Sequence, residues 1–217
     1  DDSNPPFMYD KDGKASGLYP ELTIELFKRI GAAVSVKAYP WKRVVMMIDK
    51  STAGVAGIYK NKERLQKYDY SDPIGKESIH LFVKSDSNIS FTKFEDLKGY
   101  RIGINVGWSL GDEFDNLKKQ ALFTVDEGKS TILNFQKMKK NRIDAVACIY
   151  EDGLLQIKEL GISNEVKSLP KEIITNEVYI TFNKNAGKTA LLKKINEEIQ
   201  KMKADGSIQA IYDKILK

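Results

Sequence analysis

The chain has 217 residues and a formal net charge of +5 at pH 7, and 41% of its residues are hydrophobic. That size supports one large domain or two small lobes, each with its own core. Lysines are spread along the whole chain with no aromatic-rich basic motif beside them, the pattern of a solvated surface rather than of a nucleic-acid face.

No run of about 18 apolar residues is present, so no transmembrane helix and no direct membrane insertion are expected. The chain opens at Asp1-Asp2-Ser3-Asn4-Pro5-Pro6 without a signal peptide, and any export signal is expected to have been removed already. Cys148 is the only cysteine, which rules out an intrachain disulfide. One cysteine and one histidine leave no basis for a structural zinc site, and neither metal nor cofactor is expected. A Cys/His or Ser/His nucleophile system would have to take its base from His80.

In chain order, residues 20–30 read as an amphipathic helix with Leu22, Leu26, Phe27 and Ile30 on one face and Gly31 as its stop. Residues 34–38 read as a short alternating strand. A helix is expected over 41–50, with Val44, Val45, Met47 and Ile48 turned to the core. Residues 55–59 read as a strand covered on both faces, and 79–83 as another strand. After a polar loop at 85–90, strands are expected at 101–106, 144–150 and 178–182. Helices are expected at 110–120, 131–140 and 151–160, with two closing helices at 188–203 and 207–216 divided by Asp205-Gly206. Strands alternating with helices indicate parallel α/β sheets.

One internal echo points to two similar lobes. Val55-Ala56-Gly57-Ile58-Tyr59 resembles Val146-Ala147-Cys148-Ile149-Tyr150, and each follows an amphipathic helix and a short turn. Two buried strands can look alike without a common origin. If the echo is real, both strands end at a shared cleft, where open α/β sheets bind ligands.

Several residues carry candidate chemistry. Arg64 lies just past the strand ending at Tyr59, and its planar fork of donors fits a carboxylate; the alternative is a surface arginine paired with Glu63 or Asp69. Gly107-Trp108-Ser109 joins a strand to a helix, where backbone N–H groups and the helix dipole suit an anion. Ser109 also reads as the N-cap of that helix, with Asp112 or Glu113 in its first turn. Trp41, at a helix start after Pro40, and Trp108 read equally as core residues or as stacking plates for a ligand. His80 within a strand and Cys148 among apolar residues read as structural. Glu151 and Asp152 face a cleft or merely charge a helix start.

Taken together, these segments resemble family 3 of the periplasmic solute-binding proteins, the polar-amino-acid group. The resemblance runs in order through Pro5-Pro6-Phe7 with Asp12-Gly13-Lys14, Pro20-Glu21-Leu22, Glu63-Arg64 with Tyr70-Ser71-Asp72-Pro73, and Leu97-Lys98-Gly99. It continues through Gly107-Trp108-Ser109, Arg142-Ile143-Asp144-Ala145-Val146 and Ala204-Asp205-Gly206-Ser207. It implies a type II two-lobed α/β fold with two hinge crossovers, near 84–87 and 181–184, and a ligand cleft between the lobes. One lobe is expected to comprise residues 1–84 and 184–217, and the other residues 85–183. Carried over residue by residue, Arg64 matches the arginine that holds a ligand's α-carboxylate, and Ala56, Gly57 and Tyr59 match the strand end beside it. Ser109 matches a hydroxyl residue that meets the same carboxylate, and Trp41 an aromatic that walls the side-chain pocket.

The sequence departs from the family pattern in three places. Ile149 stands where an acidic residue anchors the α-ammonium, and Glu151 substitutes only if the strand end is shifted. Asn4 stands where many members have a stacking aromatic. A strand precedes the Pro-Pro-Phe loop in that family, so residues before Asp1 are expected to be missing.

The resemblance implies a periplasmic or extracellular, membrane-associated and monomeric protein that binds a small carboxylate-bearing solute. That solute is an amino acid or a derivative, delivered by lobe closure to the permease of an ABC transporter, without catalysis. Two alternatives remain at this point: a cyclohexadienyl-dehydratase-like lyase with Glu151 as its acid or base, and the sensing domain of a signalling receptor.

Overall fold

The computed structural model describes residues 1–216 of the chain. Three short strands open it, β1 (Ser3–Asn4), β2 (Met8–Lys11) and β3 (Lys14–Ser16), paired antiparallel in that order. Then comes α1 (Leu18–Arg29), which buries Leu18, Tyr19, Leu22, Leu26 and Phe27 at helical spacing. It runs two residues further toward the amino end than the periodicity suggests, and Gly31 follows it at φ 68°. The expected strand at 34–38 does not form. Residues 32–40 carry no regular structure, because no strand lies beside them to complete a ladder.

Next are α2 (Trp41–Asp49), β4 (Val55–Ile58), α3 (Lys62–Lys67), β5 (Tyr68–Tyr70) and β6 (Gly75–Lys84). Within α2 only Trp41 and Ile48 are buried, so Val44, Val45 and Met47 are less enclosed than their spacing suggests. The chain continues with β7 (Arg101–Asn105), α4 (Asp112–Lys119), β8 (Thr124–Gly128), α5 (Thr131–Lys139), β9 (Ala145–Ile149) and α6 (Tyr150–Glu159). It closes with β10 (Val166–Asn183), α7 (Thr189–Ala204) and α8 (Ser207–Leu216). Among the described residues, no helix is long and apolar enough to cross a membrane.

The contacts divide the chain into two compact units, residues 1–76 with 177–217, and residues 77–176. In the first unit, β10 pairs antiparallel with β4 (Tyr179↔Ile58, Ile180↔Ala56) and with β5 (Thr181↔Tyr70). Helix α7 buries Leu192, Ile195, Ile199 and Met202, an i, i+3, i+7, i+10 stripe, and packs with α1 and α8. Arg29 near the end of α1 ties to Asp205 at 2.6 Å and to the Ser207 hydroxyl at 2.9 Å. This anchors the turn that the sequence marks with Asp205-Gly206.

In the second unit, β7 is parallel to both β8 and β9, and β6 is antiparallel to β9. The pairing is therefore mixed rather than wholly parallel. The parallel part is the β7–α4–β8–α5–β9 run, where each helix returns the chain to the same end of the sheet. The core gathers Phe82, Phe135, Met138, Ile143, Val146, Cys148 and Ile157 against both sheet and helices. Each such side chain stabilises the fold by about 1.5–3 kcal/mol on burial.

The echo noticed in the sequence falls on β4 and β9. Each strand follows an amphipathic helix, α2 or α5, and each has an antiparallel neighbour, β10 or β6.

Candidate functional site

In the first unit, Asn61 fixes the start of α3: its side-chain oxygen accepts the amide N–H of Arg64 at 2.8 Å. A cap of this kind contributes about 1 kcal/mol to a short helix. The cap also aims Arg64 back over the loop it came from. Its Nη1 donates to the Tyr59 carbonyl at 3.1 Å, and its Cζ lies 5.8 Å from the centre of the Trp41 ring. Arg64 is half-buried, and Trp41 is buried at the first turn of α2. Glu63, one of the partners the surface reading offers, pairs with Lys67 at 2.8 Å.

Gly57 is required where it stands. Its φ is +88°, and a Cβ there would lie 2.8–2.9 Å from the Met8 thioether and the Tyr19 ring. Strand β4 therefore turns toward Tyr59 with Ala56 half-buried and Gly57 buried.

Aromatic rings surround this loop. Tyr70 and Tyr179 meet edge to face at 5.5 Å, and the Lys60 ammonium sits 3.9 Å from the Tyr179 ring centre. Burial pushes the Tyr70 phenol up to about 12, against the pull of the Arg64 charge. The Tyr68 hydroxyl donates to Asp49 at 2.5 Å; burial first and this contact second raise its pKa further. These phenols stay neutral near a fixed cation. Sequence reading missed the tyrosine cluster, although Tyr68-Asp69-Tyr70 directly follows the arginine helix.

In the second unit, Asn105 ends β7, and its carbonyl accepts the Trp108 N–H at 3.1 Å, closing a tight turn over residues 105–108. Gly107 takes φ +75° within it. Helix α4 then begins at Asp112, with Gly111 as its N-cap at φ +117°, a backbone angle that favours glycine. Ser109 is therefore not the N-cap. Its hydroxyl donates instead to the Asp115 carboxylate in the first turn of α4. Asp112, Glu113 and Asp115 all lie in that turn, so their charges offset the helix dipole locally. Trp108 is half-buried.

Behind the turn lies a buried polar network. Asn105 donates to Thr131 at 3.2 Å and accepts from Asn134 at 3.2 Å, while Gln156 donates to Asp152 at 3.0 Å. Asp152 is fully buried, and burial pushes its carboxyl up to about 7, against hydrogen bonds from Thr131 and Gln156. The sequence suggested a helix-start charge at Asp152; the i, i+4 partner Gln156 was the available signal that it turns inward. Glu151, one residue earlier, is exposed in the first turn of α6. Ile149 is buried in β9.

His80 and Cys148 hold structural places. His80 Nδ1 lies 3.0 Å from the Leu169 carbonyl, with its ring 4.8 Å from that of Tyr150. Burial raises the Cys148 thiol well above its ordinary pKa and keeps it from forming a nucleophilic thiolate.

The bacterial extracellular solute-binding proteins, family 3, match residues 1–217. The L-cystine-binding protein TcyJ of Escherichia coli (strain K12) is 27% identical over 215 residues, covering 97% of this chain and 78% of the relative. ABC transporter arginine-binding protein 1 of the same strain is 24% identical over 219 residues, covering 96% and 85%. An ancestral arginine-binding protein bound to glutamine superposes with a TM-score of 0.82 at 28% identity, covering 99% of this chain and 94% of that one. A histidine kinase sensor domain with similarity to periplasmic binding proteins reaches 0.87 at 19% identity, covering 100% and 93%, a likeness of fold alone.

Proposed function

Because the chain belongs to the bacterial extracellular solute-binding proteins of family 3, we propose that it binds a small carboxylate-bearing solute, an amino acid or a derivative of one. We propose further that it delivers this solute, outside the cytoplasmic membrane, to the permease of an ABC transporter. The observation that carries this reading is the Arg64 guanidinium, capped at its own amide by Asn61, tied to the Tyr59 carbonyl and set beside Trp41. A half-buried, pre-oriented fork of donors beside an aromatic face suits a planar anion, because little rotamer freedom remains to be lost on binding.

Ser109 and the amides of residues 107–109 are assigned as further donors to the carboxylate, with Ala56, Gly57 and Tyr59 lining its approach. Trp41, with Trp108, is assigned to the ligand's apolar part. An ammonium finds no acid at position 149, since Ile149 is apolar and buried there. Asp152 is close in sequence but buried and shifted toward its neutral form, and Glu151 points its charge to water. The reading therefore favours solutes whose amine is substituted, distant or absent over a plain α-amino acid. Two relatives named for binding cystine and arginine support the broader class. No residue is assigned a catalytic role.

The test is a thermal-shift screen of the purified chain against L-cystine, L-arginine, the other L-amino acids, N-acylated amino acids, opines and small dicarboxylates. Hits are then quantified by calorimetry. A saturable hit with a free carboxylate is expected. Hits confined to solutes without one would remove the role given to Arg64.

A further inference from the structure

The polar loop after β6 has no part in the solute reading. It carries Asn88-Ile89-Ser90, the one Asn-X-Ser/Thr triplet of the sequence, with Asp86 two residues before the asparagine. A triplet of this kind, with X other than proline, is the acceptor pattern for an N-linked glycan on a surface loop of a protein that leaves the cytoplasm.

The loop has the geometry that pattern needs. Strand β6 ends at Lys84, residues 85 and 86 form a turn, and residues 87–91 belong to no helix or strand. Both ends of the loop are fixed. The Ser85 N–H donates to the Glu165 carbonyl at 2.9 Å, and the Lys167 ammonium donates to the carbonyls of Ser85 at 2.9 Å and Ser87 at 3.1 Å. At the other end, Phe91 is buried and meets the Phe94 ring edge to face at 5.7 Å. Between these anchors the exposure alternates. Asp86, Asn88 and Ser90 are exposed, Ser87 and Ile89 are half-buried, and Phe91 is buried. That is the alternation of extended backbone, which turns side chains i and i+2 to one side. The Asn88 amide and the Ser90 hydroxyl therefore stand together toward solvent. Among the described residues, neither has a hydrogen-bond partner within the chain.

We propose that Asn88 is an acceptor for N-linked glycosylation, with an oligosaccharide carried on a polyprenyl diphosphate as the donor. The Asn88 amide nitrogen forms a bond to C1 of the first sugar. The C1–oxygen bond to the diphosphate breaks, its electron pair leaves with the diphosphate, and the amide nitrogen gives up one proton. The Ser90 hydroxyl and the Asp86 carboxylate are the groups the transferase holds beside that amide, one by a hydrogen bond and the other by charge. Attachment requires no unfolding of β6 or β10, because the triplet takes part in neither ladder. The site shares no residue with the solute site and rests only on the placement outside the cytoplasmic membrane.

The experiment purifies the chain from the cell envelope of its own host and sequences the tryptic fragment of residues 85–93 by electron-transfer mass spectrometry. An oligosaccharide on Asn88 is expected. It should be lost in Asn88→Gln and in Ser90→Ala and reduced in Asp86→Asn, with circular dichroism and solute affinity as in the parent. A fragment without the addition overturns the proposal, as does a sugar that persists in Asn88→Gln, since that sugar would sit on a hydroxyl. Equal modification of Asp86→Asn removes the part given to Asp86. Should the chain reside in the cytoplasm, the placement fails rather than the site. The folded chain is then incubated with a bacterial oligosaccharyltransferase and a polyprenyl-diphosphate oligosaccharide. Transfer to Asn88 upholds the acceptor, and no transfer, with a free peptide of residues 85–93 modified in parallel, refutes it.

Discussion

The loop that holds Arg64 and the loop that holds Ser109 present opposite electrostatics. The Arg64 guanidinium donates to a neutral carbonyl, that of Tyr59, a contact that leaves its positive charge in place. Ser109 donates to a carboxylate, Asp115, in a helix turn that also carries Asp112 and Glu113. Both match positions that the family resemblance assigns to a carboxylate, and the second already has a carboxylate of its own in contact. A helix start is a ready anion site only while its own side chains leave it positive.

The comparison breaks first at Arg64. Arg64→Ala is expected to weaken a carboxylate ligand at least 100-fold and to abolish ligand-induced thermal stabilisation, while far-ultraviolet circular dichroism stays unchanged. The size follows from losing a charge-assisted fork worth about 3 kcal/mol or more. Titration calorimetry of mutant and parent decides it, and equal affinities would assign the carboxylate elsewhere.

A smaller effect sharpens the other side. Ser109→Ala is expected to cost about 3- to 10-fold in affinity, the loss of one hydroxyl hydrogen bond. Asp115→Asn is expected to tighten binding about 2- to 5-fold, because it removes a nearby negative charge and lets the Ser109 hydroxyl turn to the ligand. If Asp115→Asn weakened binding instead, the Ser109–Asp115 contact would be one that positions the turn.

The smallest expected effect concerns pH. The Asp152 carboxyl has a folded pKa of about 7, above the ordinary carboxylate value of 3.8. Between those values the folded chain holds a proton that the unfolded chain has lost, so unfolding free energy falls as pH rises. This contribution is complete below about pH 4 and gone once pH passes through about 7. Asp152→Asn, neutral throughout, is expected to flatten the fall in Tm between pH 5 and pH 8 measured by scanning calorimetry. The amine of Asp1, lowered to about 6, acts in the opposite sense between pH 6 and 8, so the mutant–parent difference is the quantity to read.

Much of this was legible beforehand where one chain segment settles its own fate. Helices α5, α7 and α8 stand close to their expected bounds, because apolar spacing and the punctuation at Asp205-Gly206 are local. Arg64 was a candidate from its place after a buried strand and from the family resemblance. Its cap at Asn61 sits three residues earlier, a spacing visible in the sequence.

Other features depended on partners far away in the chain. The tyrosine cluster joins Tyr70 to Tyr179 across more than a hundred positions, and only strand pairing of β5 with β10 places them together. Ser109 lost its expected capping role because Gly111, with its positive φ, opens α4 two residues later and puts Asp115 within reach of the hydroxyl. Residues 34–38 have a strand's composition and no strand's structure, since a ladder needs a second backbone that no local pattern supplies. The sequence by itself determined most of the helices, the buried strands and the place of Arg64 just after one of them. Tertiary structure alone decided which edges are paired, which carboxyl is buried and which hydroxyl is already engaged, because those outcomes turn on neighbours in space rather than along the chain.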